Sequence, residues 1–195
     1  MYKACKRSID VVLASFGIIV LSPILLAGMA AVYLSMGRPV IFTHLRSGKD
    51  KKPFLVYKLR SMVSDPTGKL QDSERITDLG YTLRKFSIDE LPQLFNVVKG
   101  DMSLVGPRPL LPEYDDKYDS VQMRRFEVRP GITGLAQVSG RNSIDWDKKL
   151  SLDVEYVDKL GFSMDMFILF RTIGVVLRSA GFRPSGEATK FGEHK

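Results

Sequence analysis

At 195 residues the chain can bury one substantial core, with room for little more than an appendage beside it. Lys and Arg (29) outnumber Asp and Glu (22), and the net charge of +7 favours polyanionic partners: nucleic acid, acidic headgroups or phosphorylated substrates. The single cysteine, Cys5, excludes an internal disulfide framework and fits a reducing compartment.

No charged residue occurs from Val11 to Met36, a run of 26. A straight helix of that length measures about 39 Å, more than the roughly 30 Å of a bilayer's hydrocarbon core. Ser22-Pro23 stands near its middle. Pro23 offers no N–H to the Ile19 carbonyl and its ring presses on that group, so a kink is expected. The Ser22 hydroxyl can bond back to a carbonyl one turn earlier and add to the bend. Each arm, Ile9–Leu21 and Ile24–Met36, would reach about 20 Å and could not cross alone. Lys3, Lys6 and Arg7 precede the run, and Arg38, Arg46, Lys49, Lys51 and Lys52 follow it. Positive charge on both flanks argues that both ends face the cytoplasm. The leading expectation is a re-entrant helix with a Ser-Pro break that dips into one leaflet and returns. A spanning helix with a mild Pro kink stays open. So does a cleaved signal peptide ending near Gly28-Met29-Ala30, although the apolar stretch exceeds the roughly 7–15 residues usual for that element.

Gly37-Arg38-Pro39 stops the helix. Val40–Arg46 and Phe54–Arg60 read as strands of a small hairpin around a turn-rich SGKDKKP. Lys58 and Arg60 alternate with Tyr57 and Leu59, so both basic side chains are expected on one face. Residues 61–77 read as a polar loop turning at Asp65-Pro66, and 78–85 as a short helix. Ser87-x-x-Glu90 matches a capping box, backed by an apolar stripe of Leu91, Leu94, Phe95 and Val98. Pro92 is tolerable only in a first turn, which places that helix start at Ser87–Asp89, and Gly100 ends it. Met102–Val105 reads as a short strand, and Pro112–Ser120 and Val121–Glu127 as helical. RPGITGLAQVSGRN (129–142) reads as a loop with little β structure, and Asp145–Leu160 as a helix. Met164–Leu177 is apolar with Arg171 inside it. At 14 residues it is too short to span and belongs along an interface or in the core. The fold class is α+β and helix-dominated: a membrane-anchoring segment over 1–37, then a domain over 38–195 with a β-hairpin and amphipathic interfacial helices.

Asp89 and Glu90 are the first chemical candidates. Acids in a first helical turn commonly do no more than cap and offset the macrodipole. The same position also keeps a carboxylate ionised, able to act as a nucleophile or bind Mg²⁺. Arg84, Arg108, Arg129 and Arg141 each stand beside backbone punctuation. A lone surface arginine is commonly just solvated. Four on stiffened loops suit bidentate contact with phosphate oxygens. Gly131, Gly134 and Gly140 would let a backbone approach a ligand closely, a weak signal. Two histidines, His44 and His194, and one cysteine make a zinc site improbable.

KRSID at 6–10, Ser22-Pro23, VYKLRSM at 56–62, the run from Ser87 to Pro109, PEY at 112–114, RPGITGLAQVSGR at 129–141 and the apolar segment at 163–177 cover nearly the whole chain. In combination they resemble the bacterial sugar transferases, the monotopic phosphoglycosyl transferases. The resemblance implies transfer of a sugar-1-phosphate from a UDP-sugar to undecaprenyl phosphate, with release of UMP. It further implies a re-entrant anchor bent at Ser22-Pro23, a catalytic dyad at Asp89-Glu90 with Asp89 as nucleophile, and a Mg²⁺ requirement met through Asp89. Lys58, Arg60, Arg84, Arg108, Arg129 and Arg141 would hold phosphates. The implied site of action is the cytoplasmic face of a bacterial inner membrane, among membrane lipids, with a homodimer left open. Two competitors have other consequences. A membrane-bound adaptor for anionic lipid would release no UMP. A nucleic-acid-binding domain rests on charge alone and lacks a recognised motif.

Overall fold

The computed structural model describes residues 2–65, 67, 70–140, 143–178 and 191. Helix α1 (Tyr2–Met36) leads into an antiparallel hairpin, β1 (Ile41–Ser47) and β2 (Pro53–Leu59), in which Ile41 faces Leu59 and Ser47 faces Pro53. Short helices α2 (Asp72–Arg75) and α3 (Asp78–Lys85) follow. A 3₁₀ turn over Ile88–Glu90 precedes α4 (Gln93–Lys99), which ends at Gly100 with φ 104°. Strand β3 (Ser103–Val105) pairs in parallel with β4 (Gly131–Thr133). Then come α5 (Leu135–Ser139), α6 (Trp146–Asp158) and α7 (Phe162–Leu177). Asp145 caps α6, accepting from the Lys148 N–H at 2.7 Å.

Three local expectations change. The capping box does not form: Ser87 has φ 57°, its side chain makes no cap bond, and α4 begins only at Gln93. Glu90 is drawn instead to Lys58 and Arg108. The stretches expected to be helical after Leu111 are 3₁₀ turns, Pro112–Tyr114 and Gln122–Glu127. The supposed loop at 129–142 holds β4 and α5. Gly131 belongs to this pairing, because a Cβ there would lie 2.1 Å from the Gly106 nitrogen. That glycine serves the approach of two backbones to each other.

Helix α1 is long and apolar enough to cross a membrane, and the break expected at Ser22-Pro23 does not appear: the helix runs continuously through Pro23. Pro23 leaves the Ile19 carbonyl without its helical donor, and the Ser22 hydroxyl donates to that oxygen at 2.8 Å. The helix starts well before Ile9 because its first turns have partners. The Lys6 ammonium lies 2.5 Å from Asp165 on α7, which also accepts from the Tyr2 hydroxyl and, at 2.8 Å, from Tyr156. Arg7 donates to the Val97 and Val98 carbonyls at the end of α4, and Asp10 accepts from the Ser103 hydroxyl at 2.7 Å. The KRSID stretch is thus a structural clasp.

Along α1, Asp10, Ala14, Gly28 and Val32 form a buried stripe at helical spacing. Ala14 packs with Phe54, Val56, Val97 and Met102, and Val32 with Leu59 and Leu83. The helix therefore shares its core with the rest of the chain. Its other face is apolar and bare: Ile19 is 71% exposed and Leu34 83%. On α7, Phe170, Ile173 and Leu177 are likewise exposed, while Asp165 and Ile168 point inward.

Helix α3 passes so close to residue 61 that a Cβ on Gly80 would sit 1.8 Å from the Ser61 carbonyl oxygen. Gly80→Ala is therefore expected to cost about 3 kcal/mol, the upper end for overpacking. In a domain of this size the melting temperature should drop by about 6–12 °C. Thermal unfolding followed by circular dichroism checks it.

Candidate active site

Two acidic residues sit in the single 3₁₀ turn between α3 and α4. The turn is held to the hairpin by Asn96, which is fully buried in α4. Its amide donates to the Leu55 carbonyl at 2.7 Å and accepts from the Tyr57 N–H at 3.1 Å. Those bonds fix α4 against the strand carrying Lys58. The Lys58 ammonium then lies 2.7 Å from Glu90 Oε1, and Arg108 Nη2 lies 3.0 Å from the same oxygen.

Arg108 owes its place to a group that sequence reasoning missed. Arg125 is buried, pairs with the buried Asp153 at 2.9 Å, and donates from Nη2 to the Arg108 carbonyl at 2.6 Å. Its guanidinium also lies over the rings of Tyr118 and Phe126. A hint was available: Arg124-Arg125 falls within an otherwise apolar-spaced segment, and a buried arginine needs a partner. On the other side of the site Arg84 donates to the Ser61 hydroxyl at 2.8 Å.

A cavity of about 140 Å³ opens here, with Arg46, Lys58, Glu90, Gln93, Arg108 and Tyr114 on its wall. Asp89 is not part of that wall and is only 6% exposed. Desolvation pushes its carboxyl above the usual carboxylate value, and the Glu90 charge adds to this. Lys58, Arg84 and Arg108 pull the other way. The expected helix start thus does not lower Asp89, because the residue lies in a separate turn ahead of α4. Burial also works against the charge on Glu90, but Lys58 and Arg108 outweigh it and hold that carboxyl far below the usual range. The Glu90 charge in turn raises Arg108 above its ordinary value. The two acids are therefore unlike: Glu90 is a committed anion, and Asp89 is a carboxyl whose charge awaits further compensation.

Of the other candidates, Arg60 is placed at the end of α1, away from the cavity wall. Its guanidinium donates to the carbonyls of Met36, Gly37 and Arg38, as a cap on that helix. It does not share the Lys58 face, since β2 ends at Leu59. Arg129 donates to the Gly100 carbonyl at 2.9 Å, at the opposite end of α4 from the acidic turn. The length of α4 puts about 10 Å between them. Arg141 lies outside the described residues. Among the described residues no group of three His, Cys, Asp or Glu side chains is placed to share a metal ion.

A turn that concentrates two acids among three cations suits an enzyme acting on phosphates. The sequence matches the profile of the bacterial sugar transferases over residues 1–179. The chain belongs to the bacterial sugar transferase family and is an enzyme of the phosphoglycosyl transferase class. It is 49% identical to the uncharacterized sugar transferase EpsL of Bacillus subtilis (strain 168), over 94% of this chain and 93% of that protein. It is 41% identical to the undecaprenyl-phosphate galactose phosphotransferase of Salmonella typhimurium, over 90% of this chain but 41% of that longer protein. Identity is 40% to the UDP-N-acetylgalactosamine-undecaprenyl-phosphate N-acetylgalactosaminephosphotransferase of Aeromonas hydrophila, over 94% of this chain and 46% of that one.

Proposed function

We propose that this protein transfers a sugar-1-phosphate from a UDP-sugar to undecaprenyl phosphate, releasing UMP, as the first membrane-committed step in making a surface glycan. The observation that carries the reading is the Asp89-Glu90 turn with Lys58, Arg84 and Arg108 acting on it. An Asp89 oxygen attacks the phosphorus bearing the sugar, and the bond from that phosphorus to the UMP oxygen breaks. UMP leaves with the electron pair. An oxygen of the lipid phosphate then attacks the same phosphorus, and the Asp89 carboxylate departs. Two displacements replace one difficult encounter of two anions. Lys58, Arg84 and Arg108 favour both the ionised nucleophile and the incoming phosphates. A buried carboxyl raised by desolvation is a fitting donor for a cation held mainly by substrate phosphates, so Asp89 would hold Mg²⁺. When bound, that ion offsets diphosphate charge.

The way α1 is held supports a membrane placement. Lys6, Arg7 and Asp10 bind the globular body near one end, and Arg60 caps the other. A spanning helix would separate those ends by about 30 Å of hydrocarbon. Attachment of both to one body supports an anchor with both ends on one face, and the positive charge on both flanks supports the cytoplasmic one. Retention of Gly28 and Val32 in the core supports an uncleaved segment. With Cys5 replaced by Ser, single cysteines at Lys3 and Arg38 should show the same accessibility to an impermeant reagent. Opposite accessibility would sink the re-entrant form.

The main test is a UMP-release assay over a panel of UDP-sugars with undecaprenyl phosphate. One donor should give turnover with ping-pong kinetics. No release from any donor would favour an adaptor that only binds anionic lipid, and a demonstrated ternary complex would remove the covalent route.

A further inference from the structure

Arg46 enters the cavity beside Glu90 from β1 and has no part in the proposed displacement steps. In the hairpin register Arg46 faces Phe54, His44 faces Val56 and Phe42 faces Lys58, so Arg46 and Lys58 lie on one face of the ribbon. The cavity wall then carries three cations, Arg46, Lys58 and Arg108, and one carboxylate, Glu90. That carboxylate is already shared, because Lys58 and Arg108 both contact its Oε1. Arg46 forms no ion pair among the described residues. Its Nη1 is shut off from solvent without a hydrogen-bond partner among the described residues. Burial and the neighbouring Arg108 charge lower the pKa of its guanidinium to about 10, while Tyr114 and Glu113 pull the other way. It is still a cation at neutral pH.

A partly desolvated guanidinium with a buried, unpartnered Nη1 beside another arginine is unfavourable in the ligand-free protein. A group with several anionic oxygens entering the cavity would satisfy it, and guanidinium forks match such oxygens well. We propose that Arg46 binds a phosphoryl oxygen of a substrate, completing an anion site with Lys58 and Arg108. This rests on the phosphoglycosyl transfer reading, and the phosphoryl group is either the donor's diphosphate or the lipid phosphate.

Arg46→Met tests it, since Met keeps much of the volume and removes the charge. The melting temperature of the ligand-free variant should equal or exceed that of the wild type, because an unpaired cation has gone. Binding should weaken at the same time. If the donor is the source, the UDP dissociation constant by calorimetry rises tenfold or more and the KM for undecaprenyl phosphate stays put. If the lipid is the source, that KM rises tenfold or more while UDP affinity holds. Either result supports the site, and Arg46→Lys should recover part of the loss. UDP affinity and lipid KM both within twofold of wild type would overturn the proposal. A lower ligand-free melting temperature would also overturn it, by making Arg46 a structural residue. Absence of UMP release by the wild type would remove the transferase reading, yet the UDP titration would still judge Arg46 as an anion ligand.

Discussion

Asp89→Asn is expected to lower UMP release by on the order of 10⁴-fold or more, the scale on which loss of a covalent nucleophile is felt. The fold should survive, with a melting temperature equal to or above the wild type. The two halves of that expectation have one cause. Desolvation, with the Glu90 charge, raises the Asp89 carboxyl, and Lys58, Arg84 and Arg108 compensate only in part. A group raised in the folded state destabilises it as pH climbs through the folded pKa, so at neutral pH the charged form of Asp89 works against folding. An amide of the same shape removes that penalty along with the nucleophile. Glu90 has the opposite sign: its depressed carboxyl stabilises the fold above the usual carboxylate range, and that contribution fades as pH falls. Were Asp89 only a helix cap, Asn would cap equally well and turnover would persist. The acidic limb of kcat/KM should have its midpoint above the ordinary aspartate value of 3.8. Glu90→Gln should move that midpoint down, since a like charge disappears and Lys58 and Arg108 are freed to act on Asp89. Assays of UMP release across pH, paired with thermal melting, decide all of this. Mass spectrometry of enzyme mixed with donor alone should show a phosphosugar adduct on Asp89.

What could be read from the sequence was whatever depends on local pattern. The hairpin, α3, α6 and α7 follow from alternation, capping and apolar spacing, and each is found within a few residues of where it was expected. The acidic pair and its basic neighbours could be picked out by residue type alone. What could not be read was where long side chains end. Arg60 looked like a companion of Lys58 by strand alternation, but β2 stops one residue earlier, and the guanidinium turns to the carbonyls that α1 leaves unsatisfied. Arg129 turns to Gly100 in the same way. Conversely Asn96, an unremarked residue inside a helix, proves to be the clamp between α4 and β2. The start of α4 was misplaced for an electrostatic reason. A capping box needs Glu90 to fold back on Ser87, and that carboxylate has stronger partners across the chain in Lys58 and Arg108.

The largest effect on stability is expected from the pair behind Arg108. Asp153→Leu leaves the Arg125 guanidinium buried without its counter-charge, and breaking such a pair from one side costs about 3–5 kcal/mol. For a domain of this size that is a loss of about 6–20 °C in melting temperature. Arg125→Met combined with Asp153→Leu removes both charges together, and most of the melting temperature should return, since apolar replacement of a buried pair is often neutral or better. Activity should not return with it. Arg125 also holds the Arg108 carbonyl at 2.6 Å, within a segment whose Pro107 and Leu110 carbonyls accept from the Gly131 and Ser47 N–H groups on either side. Without that bond Arg108 can drift from Glu90 Oε1, and the anion that organises the cavity loses one of its two partners. The double variant should therefore melt near the wild type yet turn over at least about tenfold more slowly, a misplacement effect of the kind that small shifts near a phosphate produce. If stability and activity recover together, Arg125 does no more than fill the core. If stability recovers alone, the pair exists to aim Arg108.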